Sequence, residues 1–272
     1  MTQKKLSNIA IHTITNRPWT TEQCIDEYSK AGIGGITFWR YSFEDRDPKK
    51  VGDQARESGL NVVSVARGGF FAAESKEDRK KAIDDNKRAI DETHSVGAPS
   101  LVLVCGSNKH QSLNTSRNQI QDGIAECLDH AKDAGVILAI EPLHPMYASE
   151  RSAVNSMAQA NAICENLENH PNVGIALDVY HTWWDDKLKE EITRSFNNGN
   201  LSSYHICDWL SPMEDMLNDR GLMGEGNIDV DQISEWVIES GFTGFHEVEI
   251  FSERWWKTDQ HDYLKKIISY FD

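Results

Sequence analysis

Four apolar runs in the second half of this 272-residue chain carry side chains able to hold or move charge at their ends. "ILAIE" closes on Glu141, "VGIALD" closes on Asp178, "LSSYHI" carries His205, and "FHEVEI" carries Glu247 and Glu249. Carboxylates joined by one imidazole form a donor set for a divalent cation, provided the fold brings them to one point. Oxygen donors in the majority and no thiolate suit Mn2+ first, with Mg2+, Co2+ or Zn2+ as alternatives. Glu247 and Glu249 are two apart and point to the same face of a strand. Glu249, nearer the strand end, is the expected ligand, and Glu247 a supporting or substrate-side acid. A single acid at a strand end ordinarily pairs with a lysine or arginine. Acids and a histidine at matching depth in successive strands argue instead for a shared ion, because uncompensated negative charges cannot crowd together.

The elements that must position these groups are announced by a recurring phrase: a helical pattern, a glycine, then a short apolar run. It reads "SKAGIGGITFW", "RESGLNVVSVA", "HSVGAPSLVLV", "KDAGVILAIE" and "IESGFTGFHEVEI". Gly32, Gly59, Gly97, Gly135 and Gly241 stand where a helix must stop, and glycine takes the left-handed conformation of that stop without a Cβ clash. With "NIAIHTIT", "VGIALDVY" and "LSSYHICDW" there are eight strands, rich in the branched residues of strands covered on both faces. Helical patterns such as "DRKKAIDDNKRAIDETHSV" and "RNQIQDGIAECLDHAKDA" alternate with them. This predicts an α/β fold, a closed (β/α)8 TIM barrel forming one domain over residues 1–272, in preference to an open doubly wound sheet. No Gly-x-Gly-x-x-Gly turn follows the first strand to cradle a phosphate. In such a barrel the carboxyl ends of all strands meet at one mouth, as the candidate ligands require.

Composition narrows the partners. A net charge of −15, from 43 acidic and 28 basic residues, repels nucleic acid and anionic membranes. Cys24, Cys105, Cys127, Cys164 and Cys207 are odd in number and widely spaced, with no Cys-x-x-Cys pair, and read as reduced core residues. "MTQKKLSNIA" leads into no apolar run of signal-peptide length, and no segment approaches a membrane span. A cytoplasmic protein without nucleic-acid or membrane partners is expected.

The stretches "IEPLHP", "LDVYH", "HICDW", "GEGNID" and "EVEIFS" resemble the xylose isomerase-like TIM barrels, the sugar isomerase and epimerase superfamily that also includes AP endonuclease 2-type barrels. The resemblance covers essentially the whole chain. It implies that Glu141, Asp178, His205 and Glu249 hold one divalent ion, and that His181, three residues after Asp178, contacts substrate. It implies that Arg220, between the seventh strand and the "GEG" turn, binds a substrate oxygen, with Asp208 and Glu247 on the substrate side. An endonuclease IV-like role would need further metal ligands and a basic groove, against the acidic balance. The expected partner is a small sugar or sugar derivative, with a homo-oligomer or a small partner subunit also compatible.

The chain departs from ketose 3-epimerases after the fifth strand, where His144, Pro145 and Tyr147 replace an Asn-Arg pair and a further Glu. Glu141 followed by His144 looks like the metal-bearing subunit of C-glycoside deglycosidases, which cleave 3-oxo-glucosides with a histidine base. Two chemistries therefore stay open. An ion-polarised carbonyl acidifies the adjacent C–H, and Glu141 and Glu249 then act as acid and base in isomerisation or epimerisation. Alternatively His144 removes the proton and a β-substituent leaves, a lyase reaction. His144 as a group that merely orients a ligand is an equal possibility. Trp39, Arg67, Trp183 and Trp209 follow strand ends, where flat faces suit a sugar or an aglycone ring. His12 ends the first run and reads as a satisfied structural histidine.

Overall fold

Each apolar run becomes a strand in the computed structural model, which describes residues 5–272; the first four residues of the amino-terminal stretch read above lie outside it. The barrel strands are Ile9–His12, Gly35–Trp39, Asn61–Gly69, Ser100–Val104, Ile137–Glu141, Val173–Asp178, Leu201–Ile206 and His246–Val248. They pair in parallel in chain order, and the first closes on the last. Helices Thr21–Lys30, Pro48–Glu57, Lys76–Val96, Leu113–Ala134, Met157–Asn166, Leu188–Asn197, Val230–Ser240 and Gln260–Ser269 wrap the outside. No helix among the described residues is long and apolar enough to cross a membrane.

The local chemistry explains where these elements start and stop. Ser75 and Ser112 accept the backbone N–H three residues on, capping the two longest helices. All five glycines of the recurring phrase have φ between 67° and 106°, the region a side chain enters only at a cost. At Gly97 and Gly135 that conformation reverses the chain directly into the next strand. All five cysteines are buried and unbridged.

The barrel interior is divided in two. Ala66, Val102, Ala139 and Ala176 fill one side with small apolar groups under Trp39. The other side is polar, with His12, Thr37, Ser64, His205 and Glu247 all buried. In register, Asp178 stands beside His205 and His205 beside Glu247. The apolar set comes from the third to sixth strands and the polar set from the first to third, seventh and eighth, so the strand of origin decides which side a residue joins.

The seventh run differs from a continuous strand over "LSSYHICDW". The barrel strand ends at Ile206, and Asp208–Trp209 forms a short antiparallel ladder with Arg220–Gly221. The cause is Asp208, whose carboxylate accepts the backbone N–H groups of Gly224, Gly226 and Ile228 at 2.8–2.9 Å. That clamp fixes the turn that follows, and the intervening residues 210–219 bring Leu217 to the cavity.

Candidate metal centre

Glu141, Asp178, His205 and Glu249 each offer one atom to a cluster whose members all lie within 4.8 Å of one another. All four are buried, Glu141 being the most exposed at 5%. Glu141 Oε1 and His205 Nδ1 lie 3.2 Å apart, yet neither makes a well-directed hydrogen bond. Buried lone pairs of this kind ordinarily have partners, so the donor set fits a cation. Arg220 supplies fixed positive charge to the centre: its Nη1 lies 2.8 Å from Asp178 Oδ2 and 3.0 Å from Glu249 Oε2.

The electrostatics follow from this crowding. Burial raises the Asp178 pKa to about 7, with Arg220 opposing and Glu249 and Glu141 reinforcing the rise. Burial would also raise Glu249, but His12 and Arg220 override it and hold that carboxyl well below its ordinary range. His205 loses basicity to burial and regains more from Glu247, Glu141 and Glu249, reaching about 10. His181 is driven well below 6.5 by burial and by Arg220, so it stays neutral. Its Nε2 lies 3.3 Å from Arg220 Nη2, as an acceptor.

Glu247 belongs to the layer beneath. Its Oε2 accepts from Thr37 Oγ1 at 2.6 Å, Ser64 Oγ at 3.0 Å and His12 Nε2 at 3.2 Å. With three donors on that one oxygen, the geometry favours the supporting role over the substrate-side one. His12 is more than a structural histidine. Its second nitrogen, Nδ1, lies 3.0 Å from Glu249 Oε1, so one ring ties the supporting acid to a candidate ligand. Its depth matched that of the other strand-end groups, and that was the available clue in the sequence.

Above the cluster lies a cavity of about 20 Å³, lined by Trp39, Glu141, Tyr147, Arg151, His181, Arg220 and Glu249 among others. That is room for an ion or a water. From residues 210–219, Leu217 reaches the cavity, and the Tyr147 hydroxyl donates to the Met216 carbonyl. Trp39 and Phe251 meet edge to face at 5.2 Å and form its apolar wall.

Three expected site residues are placed elsewhere. His144 does not line the cavity; its ring packs 4.8 Å from Trp209 and 6.0 Å from Trp184, and its Nδ1 accepts the Met146 N–H. Trp183 packs against Trp209 at 5.7 Å and lines an outer groove with Trp184 and Trp236. Asp208, expected on the substrate side, spends its carboxylate on the turn that follows. Conversely, Tyr147 and Arg151 enter the cavity from a loop where no periodicity or spacing marks them.

Comparison with known proteins agrees with this architecture. Residues 25–271 match the xylose isomerase-like TIM barrel family. A crystal structure of a protein from Sinorhizobium meliloti 1021 superposes with a TM-score of 0.93 at 42% identity, covering 97% of each chain. The zinc-bound IolI protein superposes with a TM-score of 0.83 at 20% identity over 96% of this chain and 95% of its own. L-ribulose-5-phosphate 3-epimerase UlaE of Salmonella typhi is 25% identical over 237 residues, 80% of this chain and 79% of that protein.

Proposed function

Because the chain belongs to the xylose isomerase-like TIM barrel family, we propose that it is a divalent-metal-dependent sugar isomerase or epimerase, acting on the carbon beside a sugar carbonyl. The observation that carries this reading is the convergence of Glu141, Asp178, His205 and Glu249 within 4.8 Å at the barrel mouth. The epimerase activity in the name of the UlaE relative and the zinc of the IolI structure support it. Mn2+ remains the preferred ion on donor chemistry, since three of the four donors are carboxylates.

Glu141, Asp178, His205 and Glu249 would hold the ion, which when bound supplies a Lewis acid that polarises the carbonyl and favours an enediolate. Glu141 closes the fifth strand, Glu249 directly follows the eighth, and both line the cavity. One carboxylate removes the proton and the other returns it, giving epimerisation when the return is to the opposite face of the same carbon. His181, neutral and with its Nε2 accepting from Arg220, carries its proton on Nδ1 and donates it in a hydrogen bond to a sugar hydroxyl without adding charge. Arg220 stacks over Tyr180 at 4.5 Å and Phe251 at 5.0 Å, which fixes its guanidinium plane for a substrate oxygen. The apolar face of the sugar meets Trp39 and Phe251.

Ligand pockets ordinarily run to about 300 Å³ or more, far above the present cavity. Admitting a sugar would therefore widen the mouth, and Leu217, beside the Tyr147–Met216 contact, is the part of the lining that a displaced loop would carry. His144 packs on Trp209 and Trp184 and does not line the cavity, which favours the isomerase reading over the lyase alternative. The test is incubation in D2O with a panel of ketoses, aldoses and 3-oxo-glucosides. Deuterium entering beside the carbonyl without loss of a substituent supports the proposal. Release of an aglycone, or no exchange with any sugar, contradicts it.

A further inference from the structure

Two arginines at the mouth have no work in the scheme above. Arg151 lines the cavity together with Glu141 and Arg220. Arg67, near the end of the third strand, lines an adjoining depression of about 250 Å³ that shares Trp39 with the cavity. Among the described residues no carboxylate lies within ion-pair distance of either side chain, although acids outnumber bases 43 to 28. Neighbouring Arg40, by contrast, is paired with Asp85 and Glu92. Both unpaired arginines lie over aromatic rings, Arg67 at 4.4 Å from Phe70 and Arg151 at 5.7 Å from Tyr147. Phe70 is 41% exposed and takes a left-handed φ of 57°, a conformation that costs a bulky residue free energy.

Half-burying two like charges without partners is unfavourable. Burial and then Arg151 push the Arg67 pKa down to about 10, with Glu141 opposing. The only opposing carboxylate is thus a candidate metal ligand, and an arriving anion supplies the direct pairing that neither arginine has. The planar fork of arginine matches the two or three oxygens of a carboxylate or phosphate.

Resting on the reading of the cavity as the sugar site, we propose that Arg67 and Arg151 form an oxyanion subsite, and that the substrate is a sugar bearing a carboxylate or phosphate group. The reacting carbons lie over Glu141 and Glu249, and the anionic end extends past Trp39 toward Arg67. Local positive charge also offsets the repulsion that an acidic protein exerts on such a ligand.

The experiment is calorimetric titration of the protein, with Mn2+ present throughout, using two matched pairs: L-ribulose 5-phosphate against L-ribulose, and D-glucuronate against D-glucose. The anionic member of at least one pair should bind at least about tenfold more tightly than its neutral partner. The pair that shows the gap identifies phosphate or carboxylate as the natural anion. Arg67→Met and Arg151→Met should each narrow that gap, and the double variant should abolish it; the ratio of anionic to neutral affinity is the readout, so any general change at the cavity wall cancels. Equal binding within both pairs overturns the proposal and needs no variant to interpret. A gap that persists in the double variant also overturns it, because the anion is then held by the ion alone. Anion-dependent binding without deuterium exchange upholds the subsite and rejects the isomerase reading; exchange confined to neutral sugars does the reverse.

Discussion

The Nη1 of Arg220 lies 2.8 Å from Asp178 Oδ2 and, on its other side, 3.0 Å from Glu249 Oε2. One guanidinium nitrogen thus bridges two of the four candidate metal ligands. Without an ion, this buried cation carries much of the charge balance of the centre.

Arg220→Met should therefore destabilise the chelator-treated protein by about 3–5 kcal/mol, the usual cost of leaving a buried charge unpaired. For a domain of this size that corresponds to a fall in Tm of roughly 6–15 °C. Adding Mn2+ should recover most of the loss, because the ion replaces the missing charge. Thermal melts with and without Mn2+ check this; an equal loss in both states would contradict it.

The metal-free centre should become less stable as pH rises. Asp178 and His205 both bind protons more tightly in the fold than when unfolded, at about 7 and about 10. Their stabilising contributions are complete below the unfolded values, about 3.9 and about 6.5, and are lost as pH climbs through the folded ones. An added divalent ion takes the place of those protons. The Tm gap between Mn2+-loaded and chelator-treated protein should thus widen from pH 6 to pH 8.5, and a constant or shrinking gap would speak against the scheme.

Asp208→Asn keeps the side-chain volume but removes the charge that gathers three backbone N–H groups at 2.8–2.9 Å. The expected cost is about 1–3 kcal/mol, with metal content unchanged, as measured by denaturation and elemental analysis. Loss of the ion in this variant would return Asp208 to the site.

His144→Ala should leave deuterium exchange within about threefold of the parent, because the ring packs on Trp209 and Trp184 outside the cavity. A loss of about 10²–10⁴-fold, the scale of a missing general base, would revive elimination.

The strand ends were legible because a parallel barrel converts position along a strand into depth at one mouth. Glu141, Asp178 and His205 could be nominated by that rule alone, and the five phrase glycines marked where helices hand over to strands. Glu247 against Glu249 was ambiguous, since both point inward and only the neighbouring Thr37 and Ser64 reveal the deeper position. Asp208 was misplaced because an acid just past a strand can serve a ligand or its own turn, and only the folded "GEGNID" segment decides. Trp183 could not be oriented without the helices that flank it. Arg151 and Tyr147 arrive from a loop, where side-chain direction follows no period.

The most direct test is the metal content of wild-type protein purified without chelator, set beside Asp178→Asn and Glu141→Gln. The account predicts about one divalent ion per chain in the wild type and a small fraction of that in either variant. Metal-free wild-type protein that still exchanges sugar protons, or variants that retain the full complement of ion, would contradict it.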